Sequence, residues 1–579
     1  MVTFKQYKKW AGRLCFGAVA TLALAACADW DDHYEVDSSL LGSQQSSLWK
    51  NIQQNENLSQ FASLLKKAGY DAVLDASQTY TVWAPVNGSF DYETVSALSD
   101  DRLQKEFIEN HIARNNYPAS GLVDERIFTL NEKLMHFSGN TNYAIQGVEV
   151  ERSNVASHNG VIHTLKGRIP FVQNIYESLN AYDYPIDSIS AFFHSYDVKK
   201  LNEQKSVQGP TLNGEITYLD SIFDEHNDLF TRFFAYINRE DSNYTMLVPT
   251  NDAWNKAKAQ ISKYFNYLQT FEFMENTSAD EPKKVKVNIK DVQYLKDSIV
   301  NMIMLRDLFY NNNLYDNKKL GNLMTGLRLQ CDSLYSTTAT IIYSDDAARL
   351  FEGAQRLDKS NGNVWITDSL RMRSWTTWNP EIRIEAEDTR MQASLVSVAG
   401  QPETTYVVPG TQNPEVKGHL SKNRYITVQP ISASTNPGIV FYLPEVRSTT
   451  YSVYIVMVPA NIQNTNMETV LPNRIKVSMG YADENGNNDD KNTKWAIESN
   501  FDSDVTKVDT IYLGDFTFPM AYAGTGSYYP YLRVNSDVKS KERSEFDRTL
   551  RIDCLILRPK ELDDYLKVHP DYKYFKDIE

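Results

Sequence analysis

The stretch that most constrains this chain is Tyr244-Thr245-Met246-Leu247-Val248-Pro249-Thr250-Asn251-Asp252-Ala253-Trp254. It is echoed upstream by Tyr80-Thr81-Val82-Trp83-Ala84-Pro85-Val86-Asn87-Gly88-Ser89-Phe90. Tyr, Thr, Pro and Asn coincide position for position, and an aromatic follows each Asn after the same gap. A shared pattern of this length predicts a duplicated unit. Tyr, Thr and the apolar residues favour a half-buried strand. Proline has no N–H and ends the ladder. The Asn suits a turn or a helix N-cap, and the aromatic then opens a helix that folds back on the core.

A second pair of landmarks lies further on. Asn159-Gly160-Val161-Ile162-His163 in the first copy is matched by Asn361-Gly362-Asn363-Val364-Trp365 in the second, which has no His. Asn110-His111 stands between the two landmarks of copy one, and Phe309-Tyr310-Asn311 occupies that neighbourhood in copy two. On these residues the chain resembles the fasciclin (FAS1) family over roughly residues 46–370. The resemblance implies two tandem FAS1-like domains, residues 46–175 and 215–375, with 176–214 as a bridge. The second copy is longer, and Glu275 to Lys290, charged and poor in apolar residues, is expected as an inserted loop. His111 and His163 are read as structural hydrogen-bonding residues in this context rather than a metal pair.

Helical periodicity supports the repeat. Phe61, Leu64, Leu65 and Ala68 share one face of a helix with Ser59 as its N-cap candidate and Gly69 at its C′ position. Phe230, Phe233, Phe234 and Ile237 form the matching stripe in copy two, expected in the core.

The N-terminus reads as a targeting segment. Lys5, Lys8, Lys9 and Arg13 precede a short apolar run ending Leu24-Ala25-Ala26-Cys27, too short to span a bilayer. This resembles a lipobox, implying a signal peptide over residues 1–26, lipidation at Cys27 and a flexible tether over 27–45. The acidic Asp29, Asp31 and Asp32 resemble the export signal of Bacteroidetes surface lipoproteins, which points to the outer face of the outer membrane.

From Arg383 onward, short strands alternate with turn signals, which predicts an all-β sandwich over residues 380–560, with 561–579 as a C-terminal tail. Glu385-Ala386-Glu387 at its start and Asp553 at its end resemble the first and last strands of jelly-roll carbohydrate-binding modules. In that resemblance Glu385, Glu387 and Asp553 hold a structural Ca²⁺, which takes oxygen ligands; the alternative is exposed strand-edge acids. Tyr528, Tyr529, Tyr531, Trp375, Trp378 and Trp495 are the rings near expected loops that could stack on a saccharide, although Tyr clusters also pack sandwich ends. The loop Asp483 to Asp490 lacks the glycine spacing of a helix-loop-helix calcium site and is read as a hairpin turn.

The expected architecture is therefore multidomain α+β, two tandem FAS1-like domains followed by a jelly-roll-like all-β sandwich. Net charge is −15, and removal of the signal makes it more acidic. That disfavours nucleic acid and anionic lipid as partners. Cys331 and Cys554 fall in different expected domains, so no disulfide is anticipated. No nucleophile elbow, zinc-helix or phosphate-loop motif is present. The expectation is a non-catalytic outer-membrane lipoprotein that binds a polysaccharide or oligosaccharide, or docks with a SusC/SusD-type transporter and other surface lipoproteins. The alternative is a cell-adhesion lipoprotein that binds host matrix or another cell through its fasciclin domains.

Overall fold

A computed structural model describes residues 46–180, 184–204, 206–212, 215–275, 283–313, 333–488 and 500–574. The expected signal and tether, Cys27, Cys331 and Trp495 lie outside the described residues. The chain forms two compact units: residues 1–173 with 197–226, and residues 174–196 with 227–579.

In the first unit, strand Tyr80–Pro85 is buried along its whole length. It pairs in parallel with Gly160–Leu165 and antiparallel with Ile112–Arg114. These belong to one sheet that continues through Val148–Ser157, Tyr143–Ile145, Leu134–Gly139 and Val123–Phe128. Alternation explains the double burial. Tyr80, Val82 and Ala84 join a core with Phe61, Leu64 and Leu65 of helix Ser59–Lys67. Trp83 faces the other way, into a core with Phe137, Ile145 and Leu165. Residues 197–226 add two two-stranded sheets, Val207–Leu212 with Glu215–Asp220 and, on either side of them in sequence, Asp197–Leu201 with Phe223–Asn227, and Val207 joins the Phe61 core.

In the second unit, Tyr244–Pro249 pairs with Phe309–Asn311 and Gly362–Thr367 in the same directions. The registers coincide: Tyr80 opposes Gly160 as Tyr244 opposes Gly362. One pair of facing residues is exchanged. Trp83 opposes His163, whereas Leu247 opposes Trp365, so the large ring moves to the neighbouring strand. Residues expected as a bridge divide between the units. Ile186, Ile189 and Phe193 are buried in the core of the second unit, while 197–214 are counted with the first.

The repeated Asn residues cap helices that precede them in sequence. Asn87 Oδ1 accepts from Gln60 N–H at 3.0 Å, at the start of Ser59–Lys67. Asn251 Oδ1 accepts from Ser188 N–H at 2.9 Å, at the start of Asp187–His194. The helices that follow use Asp91 and Thr250 as their own caps. Removing such a cap costs about 1–2 kcal/mol. Asn87→Ala and Asn251→Ala should each lower a urea midpoint accordingly, and an unchanged midpoint would remove this role.

Asn159 and Asn361 also act alike. Asn159 accepts from Leu48 N–H and donates to Leu74 O and Ala76 O. Asn361 accepts from Ile175 N–H and donates to Ile237 O and Arg239 O.

The C-terminal part of the second unit consists of two sheets packed face to face. One carries Ile382–Glu385, Glu403–Tyr406, Arg424–Val428, Leu550–Pro559, Thr450–Met457 and Asp509–Thr517; the other carries Gln392–Val396, Gly438–Tyr442, Tyr531–Ser536, Arg474–Gly480 and Phe501–Asp502. Ile384, Val428, Val453 and Leu555 of the first meet Phe441, Val477 and Leu532 of the second in a shared core. The expected inserted loop is instead largely a hairpin, Thr270–Glu275 with Lys283–Asn288; residues 276–282 are outside the described set. Its Phe271, Phe273 and Val287 are buried in that same core. Part of the expected tail is helix Lys560–Val568, with Leu562 and Asp563 buried.

Candidate metal centre

Strand Ile382–Glu385 alternates: Ile384 enters the core between the sheets, so Glu385 lies on the opposite face. It pairs with the last strand, Glu385 opposite Cys554. That last strand carries an irregularity. Ile455 opposes Leu555 and Met457 opposes Ile552, so two residues, Asp553 and Cys554, stand against Val456 alone. A bulge of this kind re-aims a side chain. Ile552 and Leu555 both face the core, and Asp553 and Cys554 are accommodated between them.

The result is a buried carboxylate cluster. Glu385, Asp553 and Cys554 place ligand atoms within 4.8 Å of one another. Ser421 holds two of the oxygens: its hydroxyl donates to Glu385 Oε1 at 2.8 Å and its N–H to Asp553 Oδ2 at 3.0 Å. Lys422 Nζ stands 3.4 Å from Glu385 Oε1. Glu385 Oε2, Glu387 Oε2 and Asp553 Oδ1 are buried with no hydrogen-bond partner. Burial, opposed by the Ser421 N–H and reinforced by the Glu385 and Glu387 carboxylates, pushes the Asp553 carboxyl up to about 8. Burial likewise raises Glu387, with Glu385 adding to it.

Leaving charged oxygens buried and unpaired is costly. A divalent cation removes that cost, and a set of carboxylate oxygens suits Ca²⁺. Burial pushes the Cys554 thiol well up, and the hard carboxylate oxygens beside it suit Ca²⁺ better than a softer metal. The carboxylates of Glu385 and Asp553 suit Ca²⁺; Glu387, whose charge bears on Asp553, lies outside the group of ligand atoms that meet within 4.8 Å.

The two histidines do not compete as a metal pair. The neutral tautomers that satisfy both rings have His111 Nδ1–H donating to Phe107 O and Nε2 accepting from Ile169 N–H. His163 Nε2–H donates to Tyr117 O, and its Nδ1 accepts from Asn154 N–H. Burial holds both at about 4.

The expected saccharide-stacking rings are placed otherwise. Tyr531 is 4% exposed and packs with Met274 of the hairpin and Val440. Tyr528 meets Phe271 and Phe273 of the hairpin edge-on. Tyr529 lies 6.0 Å from Tyr442, which stacks on Phe273. The Tyr cluster thus fastens the hairpin. Trp378 is 3% exposed, and a ring so buried has no face for a sugar. Trp375 packs on Tyr565 and donates to Tyr572 Oη at 3.1 Å. It is therefore covered by the C-terminal segment and is not grouped with the Tyr residues.

The Fasciclin domain family matches residues 56–167. The chain carries a fasciclin domain there. It is similar to human periostin, 27% identical over 147 residues, covering 25% of this chain and 17% of periostin. The chain thus spans less than a fifth of that relative's length. Among solved structures, the FAS1 domain pair of the insect cell adhesion molecule Fasciclin I aligns at 10% identity and TM-score 0.19, covering 56% of this chain and 99% of that one. Paenibacillus xanthan lyase aligns at 13% identity and TM-score 0.21, covering 35% and 16%.

Proposed function

We propose that this chain is a non-catalytic surface lipoprotein that binds extracellular glycan. In this reading Cys27 carries the lipid, and two tandem fasciclin domains lead to a jelly-roll-like sandwich held by Ca²⁺. It serves beside a SusC/SusD-type transporter at the outer membrane. The observation that carries the reading is the trio of buried, unpartnered carboxylate oxygens on Glu385, Glu387 and Asp553, which supports a calcium-holding module in the C-terminal region. When bound, Ca²⁺ supplies fixed positive charge to those oxygens; Ser421 holds the remaining oxygens of Glu385 and Asp553 in place.

Thermal unfolding in CaCl₂ and in EGTA tests the metal. Calcium at about a hundred times its Kd adds about 2.7 kcal/mol, a rise of several degrees. Asp553→Asn should lose that response while holding its EGTA midpoint near pH 7, because the metal-free carboxyl, pushed up to about 8, is already largely neutral there. Equal midpoints with and without calcium for the unchanged protein would sink the assignment. Retardation in gels containing polysaccharides tests the glycan reading.

A second reading is adhesion through the fasciclin domains, favoured by the match at residues 56–167. Binding to matrix protein with no retardation by any polysaccharide would select it.

A further inference from the structure

Two helices, one in each copy, close on a left-handed residue. In copy one, Ser59–Lys67 ends at Ala68, and Gly69 follows at φ +75°. In copy two, Asp228–Arg232 ends at Phe233, and Phe234 follows at φ +51°. Both ends use the same closing hydrogen bond: Gly69 N–H donates to Lys66 O and Phe234 N–H to Thr231 O. Ala235 N–H adds a bond to Phe230 O, completing a Schellman turn. Glycine is the default at this position, since a Cβ is strained there. Phe234 was expected in the core stripe with Phe230 and Phe233; those two are buried, but Phe234 is 64% exposed. The left-handed residue turns the stripe's last ring out of the core. Both the strain and the exposure work against stability, and strain of this kind collects at functional sites.

The loop around Phe234 is tied by side-chain contacts. Tyr236 is 39% exposed. The Arg239 guanidinium lies 5.9 Å from the centre of its ring. Asp241 fixes that guanidinium through two bonds, Nε to Oδ1 at 3.0 Å and the other nitrogen to Oδ2 at 2.7 Å. Asn361 pins the backbone beneath, donating to Ile237 O and Arg239 O.

We propose that residues 234–241 form a saccharide-binding platform, with Phe234 and Tyr236 stacking on pyranose rings and Arg239 and Asp241 meeting hydroxyl groups. Two partly exposed rings offer far less than the ~800 Å² per partner of a stable protein interface, but a pyranose needs only one aromatic face. The Arg239–Asp241 pair is neutral as a whole and the chain is acidic, so the ligand is a neutral polysaccharide. This inference rests on the glycan-binding reading and names a site for it.

The test is affinity electrophoresis of the full chain carrying Cys27→Ser, in gels containing neutral glucans, xylan or mannan. Phe234→Gly, which removes the ring and suits the left-handed backbone, and Tyr236→Ala run alongside. The expected result is retardation of the parent protein by at least one polymer, weakened about tenfold or more in both variants. Their thermal midpoints should stay within about 2 °C of the parent, as for other surface changes. Undiminished retardation of the variants would overturn the platform and leave glycan binding standing. No retardation of the parent by any polymer would overturn both.

Discussion

Gly160→Ala should unfold the first unit or bring it close to unfolding. Gly160 sits at φ +144°, and a Cβ there would lie 1.8 Å from Tyr80 O, a backbone atom of the paired parallel strand. No side chain can swing away to relieve that contact. Displacing a packed strand costs about 1–3 kcal/mol, and the backbone strain about as much again. The expected loss is thus about 4 kcal/mol, a large part of a typical domain's stability. Gly362→Ala should do the same in the second unit, where the Cβ would lie 1.9 Å from Tyr244 O. Gly69→Ala is the control: φ is +75°, but nothing lies within 4 Å, and about 1 kcal/mol is expected. Urea unfolding followed by tryptophan fluorescence reads all three. A Gly160→Ala midpoint equal to that of Gly69→Ala would refute the close-approach argument.

Acid should weaken the first unit well before its carboxylates are protonated. Burial holds His111 and His163 at about 4, below the ordinary 6.5. Their folded pKa values are depressed, so the unfolded chain takes up protons first as pH falls. The stability they contribute is whole above pH 6.5 and is lost between there and about 4. At 1.36 kcal/mol per pH unit, each imidazole removes about 3 kcal/mol across that window. The register places Leu308 and Trp365 at the equivalent positions of the second unit, and neither titrates. Chemical unfolding at pH 7, 5.5 and 4.5 should show the first unit falling steeply; a flat profile would show that the two rings are protonated without cost.

What the sequence conveyed depended on whether the partner was local. The strand through Tyr80 and its echo at Tyr244 were legible because alternation and proline act within the segment. Glu385, Glu387 and Asp553 became calcium candidates only through the resemblance of their strands to jelly-roll modules, with exposed strand-edge acids as the alternative. The bulge that brings Asp553 to the cluster was not, because it exists only in the pairing with Thr450–Met457. Asn87 was read as a cap, but the helix it caps precedes it in the chain, and that pairing is set by tertiary packing. In Lys283 to Asn288 the lysines hid a strand alternation in which Val287 is buried. Tyr528, Tyr529 and Tyr531 were read as saccharide-stacking rings or as packing at a sandwich end; the hairpin they meet lies far away in sequence, and a sequence does not show its own cover. The turned-out ring of Phe234 had no sequence signal: helical spacing put it in the stripe with Phe230 and Phe233, and its left-handed backbone exists only at the folded helix end.

The order in which the chain visits its two units has a consequence for synthesis and for inheritance. It leaves the first unit after residue 173, contributes 174–196 to the second, returns for 197–226, and departs again. On a ribosome, the first unit therefore cannot complete its core until Val207 has emerged, by which time the second has already begun. Recombination faces the same interlock. A cut near residue 175 would strip one unit of Val207 and hand it to the other as a dangling segment. Each unit keeps all of its own segments only when residues 1–579 are passed on together.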